Sequence, residues 1–534
     1  MSIRSLAFIA ICAGLQLGCV PEVSPPGATP DDTGPGGVGA IDADGDGYNS
    51  SEDCDDANST IFPGATEICD DIDNDCDDEI DEDIPTLYAD DDGDGFGDPD
   101  GDTTTACEAE GFSPYGVDCD DTDDTIHPGV DDFCDGVDND CDDLIDEDEA
   151  ATVSEQDAEA DYASINDALD AGESCISVGP GTYYEALTLT SDTILTSSEG
   201  PESTIINGSD DYGSSIIYAS NYLTNNTIIS GFTLEEGSGY ISSGESTNYD
   251  YEQAYGGGIY VSNSTPVLRN LVIQNNQLFE YYYDGDLYQT STGGGIYMVS
   301  YSATGESAIL EDIEFSNNSA NSASDLYVYG QSGMEARRIW SHDSSSSGSG
   351  SAFYFVYFYG DNQALLENVI IDSFAAASSS GNGVIYTYGS NLDASNIAVV
   401  DSQAYAALYN YQYNVTYDIE VNLRNSVLAY NDVDYAVYTI DGDTDAEVNI
   451  SYCALTEPST IYATSGTNAL GSTNLTDEDP QFTSFSQDQD GSNNKLTLSS
   501  DSPLIDAGDP SRSYEDLDGS TNDIGPYGGP EATW

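Results

Sequence analysis

From residue 161 onward the apolar residues fall in short alternating runs bounded by Gly, Ser, Asn and Asp, the pattern of half-buried strands. Similar runs recur: SGFTLEEG, LRNLVIQNNQ, LEDIEFSNNS, LENVIIDSF, ASNIAVVDSQ and LRNSVLAYND. Placing their inward residue at Phe232, Leu271, Ile313, Ile339, Val369, Ile397, Val427 and Cys453 gives steps of 39 and 42 residues, then of 26 to 30. A second ladder, Ile259, Ile296, Leu326, Phe355, Ile385, Leu408, Val437 and Ile461, interleaves with it. Two strands per coil at this period predict a parallel β-solenoid, hence an all-β architecture over residues 151–534. The helical period of residues 162–169 predicts a short capping helix at its start. Cys453, on the inward ladder, reads as a buried apolar thiol.

Both long steps carry their excess between the first ladder and the second, so two insertions are expected side by side on consecutive coils. They hold Tyr240, Tyr249, Tyr251, Tyr255, Tyr281, Tyr282, Tyr283 and Tyr288. Tyrosine offers a flat apolar face with a polar tip, suited to sugar rings or a protein partner, and equally able to cover the outer sheet. Tyr249, Tyr251, Tyr281, Tyr282 and Tyr283 are the candidate ligand contacts.

The front of the chain obeys a different rule. Residues 41–150 hold 43 Asp and Glu and no Lys or Arg, within a chain of net charge -94. Such a balance excludes nucleic acid as a partner and leaves cations or neutral surfaces. Two copies of one pattern, from Asp53 and from Asp118, share the cysteine spacing C-x14-C-x6-C. Acids at every second position supply the oxygen ligands that a hard cation takes. Asp42, Asp44 and Asp46 precede Gly47 as in an EF-hand-like loop, with Asp53 at the closing position. Asp90, Asp92, Asp94 and Gly95 repeat it, with Asp98 further on but Gly101 where a closing carboxylate belongs, so this loop is expected to be open at one end. Weaker matches start at Asp73 (Asp75, Asp77, Asp81) and at Asp138 (Asp140, Asp142, Asp146, Glu149). Calcium is the expected cofactor, in several ions, and would be the missing core of a segment with few large apolar residues. Zinc is unsupported, because no CxxC pair exists.

Residues 1–18 read as a signal peptide, with Arg4 and then an apolar run too short to span a bilayer. Gly18-Cys19 resembles a bacterial lipoprotein signal, although Gln16 stands where that family prefers Leu. The resemblance implies lipidation at Cys19, an outer-membrane surface location and membrane contact only through the lipid; plain secretion is the alternative. Residues 19–41, rich in Pro and Gly, read as a tether. Export makes Cys54, Cys69, Cys76, Cys107, Cys119, Cys134 and Cys141 disulfide candidates of open connectivity.

The strings D-x-D-G-D-G-[YF], DCDD, PGA or PGV, and DNDCDD-x-ID-E over residues 42–150 resemble the metal-binding repeat named after a methanotroph copper-binding surface protein. That name implies copper, but the one histidine here is His127, with Phe62 in its place in the first copy. A histidine copper site is therefore not supported. DYASINDAL with VGPGTYYE, GGGIYV, GGGIYM and SPLIDAGDP with NDIGPYGG resemble right-handed parallel β-helices of the pectin-lyase-like class. The expected fold is thus a right-handed parallel β-helix behind a small, loop-rich, Cys-containing calcium-binding module. Many such β-helices cleave acidic polysaccharides, and the basic cluster to weigh is Arg337, Arg338 and His342; R-R-I-W stands where polygalacturonases carry R-I-K. A module this acidic repels polyanions. The expected function is a surface-anchored, calcium-binding, non-catalytic adhesion protein that binds a glycan or a cell-surface protein. A polysaccharide lyase or glycoside hydrolase is the alternative.

Overall fold

A computed structural model describes residues 42–66, 72–77, 80, 86–99, 101–105, 109, 111–130, 137–141, 150–154, 156, 160–245, 250–278, 282–283, 287–301, 306–330, 333–347, 350–358, 362–377, 381–412, 419–441, 447–456, 460–463, 467–470, 472–487, 489, 491–514, 516–517 and 519–530. The chain divides into two compact units, Met1–Thr86 with Thr105–Glu108, and Leu87–Thr104 with Ala109–Trp534. The second acidic copy thus shares a unit with the β-rich region.

That region is a parallel β-helix. A 10-stranded sheet and an 18-stranded sheet run coil by coil, each strand pairing in parallel with its counterpart one coil on. The helix Ile165–Ala171 covers the first coil. It starts later than the period alone predicts, because Ser164 caps it by accepting from the Asp167 amide, while Tyr162 is bridged to Val153. Gly172 at φ 88° ends it.

The long strands Val267–Gln274, Ala308–Ser316, Met334–His342, Ala364–Asp372 and Leu392–Val400 form the broad sheet. Each bends at a left-handed residue held in one column: Gly231, Asn270, Asp312, Arg338, Asn368, Asn396, Asn425 and Tyr452. Gly, Asn and Asp occupy this conformation at least cost, which explains the recurring R-N-L, E-D-I, E-N-V and S-N-I of the sequence. Asn368 and Asn396 also turn their amides outward to grip the carbonyls of Pro526, Gly528 and Gly525 near the C-terminus. A buried polar ladder stitches the following turn: Asn276 Oδ1 accepts from the Gly237 amide, Asn318 Oδ1 from the Asn276 amide, and Ser344 Oγ from the Asn318 amide.

The interior column runs Phe232, Leu271, Ile313, Ile339, Val369 and Ile397 in register, as expected. Beyond Ile397 the register corrects the sequence reading. Val427 pairs with Ala398 and Ala454, so Ser426 and then Cys453 continue the column. Val427 instead faces a second cluster, packed with Ile524 and Leu504 of the C-terminal segment. In the other ladder Leu326 pairs with Phe353, and Phe355 lies two positions on; both phenylalanines are fully buried. Cys453 is a free, buried thiol, pushed up to about 12 by burial.

The two insertions do lie side by side. Tyr240–Glu245 and Asp250–Tyr255 form an antiparallel hairpin, and Leu287–Thr292 runs parallel to its second strand. The sheet is seated on a small cluster of Ala254, Leu278 and Ala320, with Ile241 packed against it.

Candidate functional sites

Asp42, Asp44 and Asp46 bring carboxylate oxygens within 4.8 Å of one another, as do Asp90, Asp92 and Asp94, and Asp73, Asp75 and Asp77. The loops are wound by their own side chains. Asp42 Oδ1 accepts from the Gly45 amide at 2.6 Å, and Asp90 Oδ1 from the Gly93 amide at 2.7 Å. Gly47 and Gly95, at φ 108° and 104°, make the turn that a Cβ would strain.

A carboxylate from outside its spacing lies beside the second loop. Asp118 stands to Asp92 and Asp94 as Asp53 stands to Asp44, each close enough to raise its neighbours' affinity for protons. Asp53 and Asp118 are 8% and 3% exposed, and each spends one oxygen on the amide two residues on, at 2.9 Å. Their other oxygens, with Oδ2 of Asp44, Asp46, Asp92 and Asp94, are buried without a hydrogen-bond partner. Orphaned buried carboxylate oxygens are costly, and a hard cation is the group that satisfies them. These residues fit the metal that their pattern implies. Asp44, Asp92 and Asp118 are raised above the ordinary carboxylate value, by burial first and then by the neighbouring aspartates of their own loops. Asp98 is half-buried, and its amide donates to the Ala89 carbonyl at 3.0 Å. Asp81, Asp142, Asp146 and Glu149 lie outside the described residues, as do Cys19, Cys69, Cys107 and Cys134.

Two disulfides, Cys54–Cys76 and Cys119–Cys141, tie each DCDD string to its DNDC turn with the same separation of 22 residues. Cys76 and Cys141 sit at φ 64° and 57°. Cys175, at the start of the strand Cys175–Val178, is also disulfide-bonded. An aromatic pair backs each loop: Tyr48 stacks on Phe62 at 5.6 Å, and Phe96 on His127 at 5.1 Å.

The basic cluster is held by acids. Arg337 bonds Glu367 and Glu335 at 2.9 and 3.0 Å, and Arg338 bonds Asp312 and Glu311. His342 lies between Asp343 (2.7 Å) and Glu314 (3.1 Å) and stacks on Trp340. Burial opposes its charge, yet those two hydrogen bonds carry its pKa to about 9. A cleft of about 540 Å³ runs past His342, Asp343, Ser373 and Gln489. Asp343, the carboxylate that lines it, accepts from the Gly491 amide of the crossing C-terminal segment, and nearby Asp401 and Asp372 accept from the Gln489 amide and from Asn494 Nδ2.

The largest feature missed by sequence reasoning is a column of stacked tyrosines. One position after the inward residue of the 10-stranded sheet, Tyr218, Tyr260, Tyr297, Tyr327, Tyr354, Tyr386, Tyr409, Tyr438 and Tyr462 stand in register, one per coil. Neighbouring centroids are 4.5 to 5.3 Å apart, from Tyr354–Tyr386 to Tyr260–Tyr297. The signal was present as I-Y, L-Y, F-Y or V-Y at each coil. Burial pushes up the phenols of Tyr218, Tyr260, Tyr297, Tyr327 and Tyr386, and takes Tyr354 and Tyr409 to about 12. Most rings lie face to face, with Tyr327 and Tyr354 meeting edge-on. Among the described residues the column ends at Tyr462 and at Tyr218, where the preceding coil places Thr188 in register. A cleft of about 290 Å³ opens there, lined by Leu187, Thr188, Ser214, Ser215, Tyr218 and Tyr240. Tyr240, on the hairpin, leans on Tyr218 at 5.4 Å and is 40% exposed. Of the tyrosines expected to bind ligand, Tyr251 is half-buried on the hairpin, Tyr282 and Tyr283 form a short strand, and Tyr249 and Tyr281 lie outside the described residues.

Comparison with known proteins agrees with both halves. Residues 53–82 and 118–147 match the copper-binding MopE family model, described as a "putative metal-binding motif". A search of curated proteins finds no match. Among solved structures, the pectate lyase Pel9A is similar at 13% identity and TM-score 0.37, over 73% of this chain and 99% of that one. A pectin methylesterase from Aspergillus niger is similar at 16% identity and TM-score 0.29, over 61% of this chain and 92% of that one. The chain carries two copies of that putative metal-binding motif, ahead of a parallel β-helix that its own strand register defines.

Proposed function

We propose that the protein is an exported, non-catalytic binding protein of the cell surface, stiffened by calcium and docking neutral carbohydrate at the open end of its tyrosine column. The observation that carries the reading is the face of Tyr218 on which no tyrosine of the column stacks, set beside Tyr240 in a cleft whose lining is hydroxyls and apolar carbons with no charged side chain. A pyranose presents an apolar C–H face to a ring and hydroxyls to Thr188 and Ser214. Net charge favours a neutral glycan over a polyuronate. The orphaned atoms of the acidic loops are carboxylate oxygens, with His127 Nε2 3.8 Å from one of them, Asp94 Oδ2; such a set suits Ca²⁺ with an affinity of roughly 0.1 to 1 mM, the range of extracellular modules. Lipidation at Cys19 on the outer membrane completes the reading, and the helix among the described residues is too short and polar to cross a bilayer.

The test titrates the purified full chain, in calcium buffer, with neutral and uronic-acid oligosaccharides. Neutral sugars bind, and Tyr218→Ala weakens them about tenfold, the loss of one stacking contact, while Tyr218→Phe binds as the parent does. Undiminished binding by Tyr218→Ala, or release of cleaved sugar, defeats the reading.

A further inference from the structure

We infer that Asp90, Asp92, Asp94 and Asp118 form one split divalent-cation site, and that the ion locks residues 111–117 of the insertion against the loop it interrupts. The site rests on the calcium reading above and adds a residue and a role to it. The matched motif begins at Asp118 and leaves out residues 90–94, so three of the four carboxylates fall outside it.

Three observations carry the inference. First, Oδ2 of Asp92, Asp94 and Asp118 are all buried without a hydrogen-bond partner, and Asp118 is 3% exposed. Second, the backbone brings the distant partner in. The Gly97 amide donates to the Tyr115 carbonyl at 2.9 Å and the Asp118 amide to the Gly97 carbonyl at 3.2 Å, while Ala89 and Tyr88 pair with Phe112 and Ser113. Gly116 allows this closure, since a Cβ there would meet the Tyr88 ring at 2.5 Å. Third, the first copy reaches the same arrangement with no insertion. There Asp53 follows Asp42, Asp44 and Asp46 directly, and the Ala43 amide donates to Asp56 at 3.1 Å as the Asp91 amide donates to Asp121 at 3.0 Å. The same four carboxylates and the same strap therefore recur around two different chain paths.

A cation bound to both the loop and Asp118 closes the long excursion between them, and the insertion's strands in turn hold Asp118 in place. The consequence is reciprocal: calcium protects the insertion, and the folded insertion raises calcium affinity.

The test uses the full chain, stripped of metal and titrated with CaCl₂ by calorimetry, with chymotrypsin cleavage at Phe112 and Tyr115 as a second readout. Asp118→Asn is expected to bind one ion fewer than the parent and to expose both cleavage sites even in calcium. Asp98→Asn keeps the parent's stoichiometry and protection. If Asp118→Asn binds as many ions as the parent, the split site is wrong while the calcium reading stands. If the parent binds no calcium, that broader reading falls as well. Should Asp118→Asn misfold, the metal-free parent decides: cleavage there that calcium does not suppress overturns the lock.

Discussion

Arg338 stands in register directly after Asp312 in the left-handed column, and its guanidinium takes that carboxylate through Nε and Nη2 at 2.6 and 2.9 Å. Two coils that each break the strand at the same place are thereby tied at the break. Replacing Arg338 by Ala removes the tie and leaves Asp312 beside Glu311. The partly exposed pair makes this a loss of about 1 to 2 kcal/mol. Arg338→Asn, a residue suited to φ 51°, is expected to lose less. Urea unfolding measures both, and neither variant should alter sugar binding, because the pair serves the fold.

His342 gives stability a basic limb. Its folded pKa of about 9 lies above the ordinary 6.5, so its contribution is complete below about pH 6.5 and is lost as pH rises through 9. The amount is on the order of 2 to 3 kcal/mol. Melting temperatures recorded from pH 6 to 10 should fall in that window, and His342→Gln should flatten the fall.

Asp325 acts in the same sense at lower pH. It is fully buried, and burial lifts its carboxyl to about 6 against hydrogen bonds from Asn318, Ser344, Ser341 and Ser324. A carboxyl that holds its proton more tightly when folded favours the native state at low pH, so stability declines between about pH 4 and 6. Asp372, also raised to about 6, adds to the same limb. Asp325→Asn should reduce that decline in an unfolding titration; an unchanged slope would place the effect elsewhere.

The glycines before the Tyr260 and Tyr297 strands are contact residues. A Cβ on Gly294 would come to 2.3 Å from the Ser324 carbonyl, and one on Gly257 to 2.3 Å from the Gly294 carbonyl. Gly294→Ala must push adjacent coils apart, at about 2 to 3 kcal/mol. Near-UV circular dichroism on heating reads the loss.

Much of this was legible in the sequence because a β-helix repeats its chemistry. The inward residues of the long strands recur at a fixed offset from Asn270, Asp312 and Asn368, and the in-register column was found through Ile397. The slip at Val427 arose because both faces of the strand there are buried, one in the core and one under Ile524, so apolar character no longer tells inside from outside. Phe355 was chosen over Phe353 for a related reason, since both point inward. The D-x-D loops were evident from spacing. Asp118 was not, because its contact with Asp92 and Asp94 depends on an insertion that spacing cannot see through. Tyr218 and its successors were overlooked because attention fell on the tyrosines of the insertions, while those of the sheet carry the longer order.

That order also makes the protein its own optical probe. Rings about 5 Å apart and nearly parallel couple their excited states, so each stacked pair reports its own spacing. Each step crosses from one coil to another, so opening a single coil breaks one coupling. The near-UV dichroism of the tyrosines should then fall at the first local opening, earlier than any change in strand content.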